Sequence, residues 1–424
     1  MIPELIPEVP QLVDHLFRRE AGRMVAVLTR LLGTEHLGLA EDVVQEALIK
    51  ALRTWPFQGV PDNPGGWLMR VAKNRALDLL RRDINLARKE EELRGWTAAL
   101  TSPAGDPADP DGEALDDQLR MIFICCQPAV PRDARVALTL KIVGGFGVPE
   151  IARAYLAKDA TIAQRLVRAK RKIQEIRPPF EVPAPAELPA ALDSVLEALY
   201  LMFNEGYAAS AGEELVRQDV CAEAIRLARL VAEHPSLDLP KAHALAALLL
   251  LQAARNPARV DPEGNLLLLS EQDRDLWDRS KIAAGFHHLD RAARGTEMST
   301  FHLEAGIAAA HAMAPSDEAT DWPYILSLYD SLLALKGSPV VALNRAVALA
   351  MAKGPEAGIA AAEEIRHHPA LAGYYPLPVT LGELYARAGD EERAADSFRA
   401  ALEAESPEPV RRRIQARLLM LGAQ

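Results

Sequence analysis

The feature that most limits the fold of this chain is a pair of helices in residues Val148 to Ile173, separated by a tight turn. On the second helix, apolar side chains recur at the spacing of one helical face: Ile162, Leu166, Ala169 and Ile173. At about 100° per residue, the polar side chains fall on the opposite face. These are Thr161, Gln164, Arg165, Arg168 and Lys172. One face can therefore pack on a core while the other offers amide, hydroxyl and guanidinium groups to a partner.

Such a polar face carries the groups with which a helix reads duplex DNA. Arg and Gln can bond base edges in the major groove, and Lys and Arg can bond phosphates. A second interpretation stays open, because Thr161 and Gln164 also have the spacing of a capping box, in which Gln164 would bond the helix start. The basic run from Arg168 to Lys172 is equally compatible with contacts to phosphates or to water alone.

Length and composition predict several helical domains. The 424 residues exceed one typical domain, and abundant Ala and Leu with only 5% aromatic residues favour an all-α protein. Residues 101–118, rich in Asp, Pro and Gly, read as a flexible acidic linker, and residues 178–189, with five prolines, read as a stiffer one. The expected domains are therefore 1–100, 119–177 and 190–424.

The charge is divided unevenly between these parts. Residues 1–180 carry a net charge of +2 and residues 181–424 carry −13, which together give the total of −11. The front part can therefore hold local basic faces for nucleic acid, while the acidic rear part argues against DNA contact there.

The sequence lacks the signals that are typical of several classes of function. No run of about 18 uncharged apolar residues predicts a membrane span, and the N-terminus lacks the pattern of a secretory signal. Cys125, Cys126 and Cys221 have no metal-ligand spacing and read as buried thiols in a reducing cytoplasm. The pairs His287–His288 and His367–His368 lack partners at ligand spacing. The sequence thus predicts no metal, no cofactor and no catalytic residue.

Two amphipathic helices precede the acidic linker. The first is LAEDVVQEALIKALRTW, for which we expect an apolar stripe formed by Val44, Leu48, Ala51 and Leu52. The second is GWLMRVAKNRALDLLRRD, in which Arg70, Asn74 and Arg81 lie opposite a core face. By itself this polar face is equally well explained as an ordinary solvated helix surface.

The end of the chain has the pattern of a tetratricopeptide repeat. In LGELYARAGDEERAADSFRAAL the residues on the repeat's positions are Leu381, Gly382, Tyr385, Ala394, Phe398 and Ala401. An upstream unit aligns with it, with Leu343 in the place of Leu381 and Asn344 in the place of the glycine. Stacked helical hairpins of this kind form a concave surface, which favours a protein or peptide partner.

The combination of these motifs over residues 10–177 resembles the extracytoplasmic-function sigma factors of bacterial RNA polymerase. The resemblance implies that Asp42, Gln45 and Glu46 bind core polymerase. It implies that the −10 promoter element is captured by residues of the following helix: Trp67, Arg70, Lys73, Asn74 and Arg81. It also implies that the helix-turn-helix reads the −35 element through Thr161, Gln164, Arg165, Arg168, Arg171 and Lys172. The chain departs from the family's pattern at Val148, where a hydroxyl cap is usual.

The remainder resembles the branch of this family that carries a long tetratricopeptide-like extension. This implies an all-α protein with two small helical domains and a helical-repeat domain that controls activity or is needed for it. The acidic excess of the extension favours an intramolecular contact with the basic faces of the front domains. Core RNA polymerase and promoter DNA are the implied partners. A conventional helix-turn-helix regulator with a helical sensor domain, and a scaffold whose repeats bind a partner, remain the alternatives.

Overall fold

The computed structural model describes residues 9–83, 90–101, 110–155, 157–207, 218–235, 237, 239–261, 265–404 and 406–422. Within these ranges the regular structure is helical, apart from one isolated antiparallel bridge between Val260 and Leu266. The predicted all-α class is therefore confirmed. The chain divides into two compact units, residues 1–202 and 203–424.

The first unit contains two groups of four helices. The first helical group comprises α1 (Val9–Leu32), α2 (Leu37–Gln58), α3 (Pro64–Asp83) and α4 (Glu90–Thr101). The second helical group comprises α5 (Pro110–Cys125), α6 (Arg132–Ile142), α7 (Val148–Ala154) and α8 (Asp159–Ile176). A further helix, α9 (Leu188–Tyr207), contains the boundary between the two units.

Helices α2 and α3 pack against each other through small and aliphatic side chains. Val44 and Ala51 of α2 and Leu68 and Ala72 of α3 are buried, and the ring of Trp67 lies 5.6 Å from that of buried Trp55. Small residues at the contact let the two helix backbones approach closely. The polar sides of both helices consequently face away from this shared core.

The structure corrects the expectation of a flexible linker over residues 101–118. Residues 102–109 lie outside the described residues, but residues 110–118 belong to α5. Proline fits the first helical position because it lacks only an N–H that would have no partner there. Buried Asp117 then accepts hydrogen bonds from Arg30 Nε of α1 at 2.8 Å and from Arg120 Nη1 at 2.9 Å. These bonds account for the helical order of a segment whose composition is typical of linkers.

The proline-rich residues 178–189 have no regular structure until α9 begins at Leu188. The carbonyl of Pro178 accepts a buried hydrogen bond of 2.9 Å from the Thr34 hydroxyl. The first part of α9 lies in the first unit, where Arg132 of α6 pairs with Glu197 and Arg135 Nη1 donates to Ser194 Oγ at 3.2 Å. The compact front unit thus extends beyond the domain end at residue 177 expected from sequence.

The second unit is a succession of helices, each packed against its neighbours along the chain. Its helices are α10 (Gln218–Glu233), α11 (Pro240–Ala253), α12 (Arg279–Ala292), α13 (Thr300–Met313), α14 (Trp322–Lys336), α15 (Pro339–Lys353), α16 (Pro355–Glu364), α17 (Pro376–Ala388), α18 (Glu391–Glu403) and α19 (Glu408–Met420). Helix α11 is buried along nearly its whole length, as its apolar sequence requires.

Two glycines allow helices of the second unit to pack in close contact. A Cβ atom on Gly358 of α16 would lie 2.4 Å from Ala350 Cβ and 2.8 Å from the Ala346 carbonyl oxygen of α15. A Cβ atom on Gly382 of α17 would lie 2.8 Å from the ring of Phe398 of α18. The pairs α15–α16 and α17–α18 therefore depend on glycine at these positions.

We expect the substitution Gly358→Ala to destabilise the second unit by about 1–3 kcal/mol, because the added methyl meets backbone that cannot move aside. Gly95→Ala is the matched control, since nothing lies within 4 Å of a Cβ at this exposed position of α4. Alanine should there stabilise the helix by up to about 1 kcal/mol. Urea unfolding followed by circular dichroism measures both; equal effects of the two substitutions would contradict the close packing of α15 and α16.

Candidate nucleic-acid interface

Helix α8 has the two faces that its sequence predicts. Its buried residues are the four predicted ones: Ile162, Leu166, Ala169 and Ile173. On the other face Thr161, Gln164, Arg168 and Arg171 are exposed, and Arg165 and Lys172 are half-buried. The structure therefore brings the six predicted side chains to the solvent side of a single helix.

The start of α8 excludes the predicted capping box. The helix begins at Asp159, its N-cap is Lys158, and no side chain caps it. Thr161 accordingly lies inside the first turn, where its backbone N–H bonds to the Lys158 carbonyl at 2.8 Å. The side chain of Gln164 makes no hydrogen bond to any described residue, so its amide is available to a partner.

The start of helix α7 has no capping hydroxyl, and a carboxylate bonds to the backbone there instead. Glu150 Oε2 accepts a hydrogen bond of 2.6 Å from the backbone N–H of Gly147. A carboxylate near a helix N-terminus also interacts favourably with the helix dipole. Val148 can therefore stand at the start of α7 without a capping hydroxyl.

The cations of α8 differ in how strongly the protein holds them. Arg165 Nε lies 3.2 Å from Asp133 Oδ2 of α6, and its guanidinium lies 5.7 Å from the Tyr155 ring centre. Arg171 and Lys172 pair with Glu175 one turn further along the helix. Arg168 has no ion pair with the described residues and is exposed. Among the cations of this face, Arg168 thus has no ion pair with a described residue to break when it binds a ligand.

Helix α3 presents the second predicted group of side chains. Arg70, Asn74 and Arg81 are exposed on one side of the helix, and Trp67 lies half-buried on the same side. Lys73 is half-buried to one side of them. The helix thus combines an aromatic ring with cations and an amide on one surface, as proteins that bind single-stranded nucleic acid do.

The three predicted polymerase contacts lie on the exposed side of α2, and two of them are held by neighbours. Gln45 Nε2 donates a hydrogen bond of 3.2 Å to Glu41 Oε1. The carboxylate of Glu46 accepts two hydrogen bonds from Arg75 of α3, one of them 3.2 Å long from Nη2. Partial burial and the nearby Glu41 carboxylate raise the pKa of Asp42. The face is therefore acidic and partly ordered before any partner binds.

The structure corrects the predicted apolar stripe of α2, because Leu52 is exposed. The buried stripe runs through Val44, Ala51 and Trp55, whereas Leu52 and Ile49 are 46% and 47% exposed. Both lie at helical spacing from Gln45 and hence on the face of the predicted polymerase contacts. Sequence reasoning could have found Ile49 from its apolar character among polar neighbours on that face.

Glu41 and Val167 are two further residues that the sequence interpretation missed. The Glu41 side chain is 7% exposed and lies 3.4 Å from Lys141 Nζ and 2.8 Å from Lys170 Nζ. Lys170, part of the basic run on α8, thus binds a carboxylate of α2 instead of lying in solvent. Val167 is 61% exposed on α8, one turn from Gln164 and Arg171. No local sequence pattern predicts the buried ion pairs of Glu41 or the exposure of Val167.

Comparisons with known proteins agree with this arrangement. The family model described as sigma-70 region 2 matches residues 16–83, which include α2 and α3. A family of unknown function, DUF6596, matches residues 191–293. No solved structure matches the chain.

The relatives fall into two kinds. An uncharacterised protein of Rhizobium meliloti is 40% identical over 368 residues, which cover 87% of this chain and 86% of that protein. The probable ECF RNA polymerase sigma factor SigI of Mycobacterium tuberculosis is 29% identical over 166 residues, 39% of this chain and 55% of its own length. The ECF RNA polymerase sigma-E factor of Escherichia coli is 31% identical over 144 residues, 32% of this chain and 72% of its own length.

The chain belongs to the extracytoplasmic-function group of the sigma-70 family and carries a C-terminal extension. It is an alternative sigma factor for transcription initiation. No described helix is long and apolar enough to cross a membrane.

The histidines and cysteines outside these faces form no metal site among the described residues. His288 is buried against His243, with their Nδ1 atoms 2.8 Å apart, and burial lowers the pKa of His288 to about 4. All three thiols are buried. Burial raises the pKa of Cys126 to about 11 and that of Cys221 to about 12, and it also raises the pKa of Cys125.

We expect the three thiols of the folded protein to react with iodoacetamide at pH 8 at least about a hundredfold more slowly than in urea. The reason is that raised pKa values suppress the thiolate, which is the nucleophile. Mass spectrometry of the alkylated protein measures the rates. Rapid labelling of even one thiol in the folded protein would contradict its burial.

Proposed function

We propose that this sigma factor reads the −35 promoter element with α8 and the −10 element with α3, while α2 docks on core RNA polymerase. The observation that carries the proposal is the exposed face of α8, which lies opposite the buried apolar face of the helix. On the exposed face Arg168 has no ion pair with a described residue, and the Gln164 side chain does not cap the helix. Arg and Gln are the side chains that bond two atoms of guanine and adenine edges, respectively. The helix-turn-helix of α7 and α8 would present them to the major groove.

The proposed role of α3 is capture of a melted strand. Unstacking a base costs a few kcal/mol, which stacking on an aromatic ring and contacts to phosphates can offset. Trp67 supplies the ring, and Arg70, Lys73 and Arg81 supply the cations. Asn74, exposed between them, adds an amide that can bond a base edge.

The proposed polymerase contact combines charge with apolar surface. Asp42, Gln45 and Glu46 offer carboxylates and an amide, and Ile49 and Leu52 continue the same face as exposed apolar side chains. Interfaces of lasting complexes combine an apolar centre with a polar rim. The bond between Arg75 and Glu46 would connect the polymerase-binding helix to the strand-binding helix.

We also propose that the extension binds a protein or peptide through tetratricopeptide-like hairpins and thereby controls activity. The side chains at the repeat positions of α17 and α18 support this role, because all six residues are buried: Leu381, Gly382, Tyr385, Ala394, Phe398 and Ala401. Its net acidic character would favour a contact with the basic faces of the front unit in the absence of a partner. A variant ending at Tyr207 tests this role. It removes the extension but keeps the hydrogen bonds of Glu197 and Ser194 to α6, which belong to the front unit.

The experiment that tests the function is reconstitution with core RNA polymerase. The full chain should co-elute with core polymerase and direct transcription from a specific start on genomic fragments. Failure of the full chain and of the variant ending at Tyr207 to bind core polymerase would overturn the proposal. Tight sequence-specific binding to duplex DNA without polymerase would instead favour a conventional helix-turn-helix regulator.

We expect Arg168→Ala to weaken promoter binding by the polymerase complex by about 1–3 kcal/mol and to relax base preference at a single position, because a bidentate contact to one base is lost. Arg171→Ala should weaken binding to all sequences alike and lower the salt dependence, as loss of a phosphate contact does. Arg229→Ala, an exposed position of α10, is the control and should change neither. Promoter affinities measured across salt concentrations and single-base variants distinguish these outcomes; equal effects of all three would contradict a reading role for α8.

A further inference from the structure

Two arginines of the second unit are enclosed by the protein and have no carboxylate partner. Arg255 and Arg259 follow the end of α11 and lie four residues apart in the chain. Arg259 is only 9% exposed, and Arg255 is half-buried. Neither forms an ion pair with a described residue. A buried charge without a counter-charge is unfavourable, so this pair indicates a charged partner that is not part of the described chain.

Other enclosed arginines of the same unit do have carboxylates. The side chain of Arg274, also 9% exposed, lies 3.9 Å from Asp317 Oδ1. The side chain of Arg413, 16% exposed, lies 2.8 Å from Glu271 Oε2. The extension as a whole is acidic, so carboxylates are abundant in it. The lack of a counter-charge beside the first two arginines is therefore a local feature of that place and does not follow from composition.

Arg259 is held in one orientation by Tyr207, the last residue of α9. Its guanidinium carbon lies 3.9 Å from the centre of the Tyr207 ring, and its Nη1 donates a hydrogen bond to the Tyr207 carbonyl. A cation at the C-terminus of a helix is favourable, but this bond uses only one of the five N–H groups of the guanidinium. The other N–H groups form no hydrogen bond with a described residue. Stacking of the ring on one face leaves an edge of the guanidinium free for two parallel bonds to an oxyanion.

Arg255 adds a second positive charge close to the first. Its guanidinium carbon lies 5.8 Å from the ring centre of buried Trp277, and its Nε is buried without a hydrogen-bond partner. Burial lowers the pKa of Arg259, and repulsion from the Arg255 charge lowers it further. The two charges therefore lie close enough to repel each other, and an anion that binds beside them would relieve this repulsion.

Charge and enclosure together indicate the class of anion. A phosphate group carries a charge of about −1.5 to −2 at neutral pH, which matches two guanidinium groups. Its several oxygens can also accept paired bonds from an arginine edge. A carboxylate carries a single charge and would leave one of the two cations without a counter-charge. Because Arg259 is almost fully enclosed, the ligand must be small.

We propose that Arg255 and Arg259 bind phosphate, or the phosphate group of a small molecule, within the second unit. Tyr207 and Trp277 position the two guanidinium groups for this contact. The site goes beyond the proposed function, because the polymerase and promoter contacts lie in the first unit and the partner proposed for the extension is a protein or peptide. Binding of phosphate by the free chain is therefore tested without polymerase, DNA or any other protein.

Isothermal titration calorimetry of the full chain tests the site with inorganic phosphate, glycerol phosphate and acetate at constant ionic strength. We expect saturable, equimolar binding of a phosphate and binding of acetate that is weaker by at least about tenfold, since acetate compensates one charge fewer. Tighter binding of glycerol phosphate than of inorganic phosphate would identify a phosphate ester as the ligand, and the reverse order would identify the free ion. Absence of saturable binding of either phosphate would overturn the proposal.

Substitutions locate the bound phosphate. Arg259→Met removes the charge and should weaken phosphate binding by at least about thirtyfold, whereas Arg259→Lys keeps the charge but loses the paired bonds and should weaken it by about tenfold. Arg393→Met is the matched control, because Arg393 also lies beside a tyrosine, 5.6 Å from the Tyr385 ring centre, but is exposed and pairs with Asp390. This control should leave the affinity unchanged.

Circular dichroism verifies that each variant folds, and Arg259→Lys serves as the test if Arg259→Met does not fold. Phosphate affinity that stays unchanged in both Arg259→Lys and Arg255→Met would place the bound phosphate elsewhere and overturn the proposal. An equal loss of affinity in Arg393→Met would also overturn it, because the binding would then reflect the overall charge of the unit and not this pair of arginines.

Discussion

Two buried carboxylates connect the two helical groups of the front unit: Glu41 of α2 binds the lysines of α6 and α8, and Asp117 of α5 binds Arg30 of α1. Helix α2 packs on α3 through one face, binds α8 through Glu41 and leaves a third face exposed with acidic and apolar side chains. The helices proposed to capture the strand and to read the duplex, α3 and α8, therefore both contact the helix proposed to dock on polymerase. A change at α2 can consequently affect more than one of them.

Local periodicity accounts for the parts of the structure that the sequence predicts well. The predicted buried face of α8 is confirmed at all four positions. In a helix that packs on one side, the period of 3.6 residues determines which residues are buried. The predicted capping box is wrong, because α8 starts three residues earlier than its pattern implies. The predicted stripe of α2 includes Leu52, but Trp55 is the buried residue, since hydrophobicity alone does not distinguish a core residue from an exposed apolar one.

Long-range contacts account for what the sequence could not reveal. Glu41 and Lys170 are separated by 129 residues, and no local pattern connects them. Asp117 illustrates the same difficulty, because its acidic, proline-rich surroundings are typical of a linker. Its bond to Arg30, 87 residues away, nevertheless holds it in a helix. The sequence predicts the family correctly because several motifs occur along the chain in the order typical of that family, which no single helix could indicate.

The central claim is that one chain reads two promoter elements and that the second is read as a melted strand when polymerase is present. Permanganate reactivity of thymines on a promoter fragment, combined with footprinting, tests it most directly. The account predicts two protected regions about 25 base pairs apart and reactive thymines in the downstream one, both only with core polymerase present. A single protected duplex site, formed by this chain alone and without reactive thymines, would contradict the account.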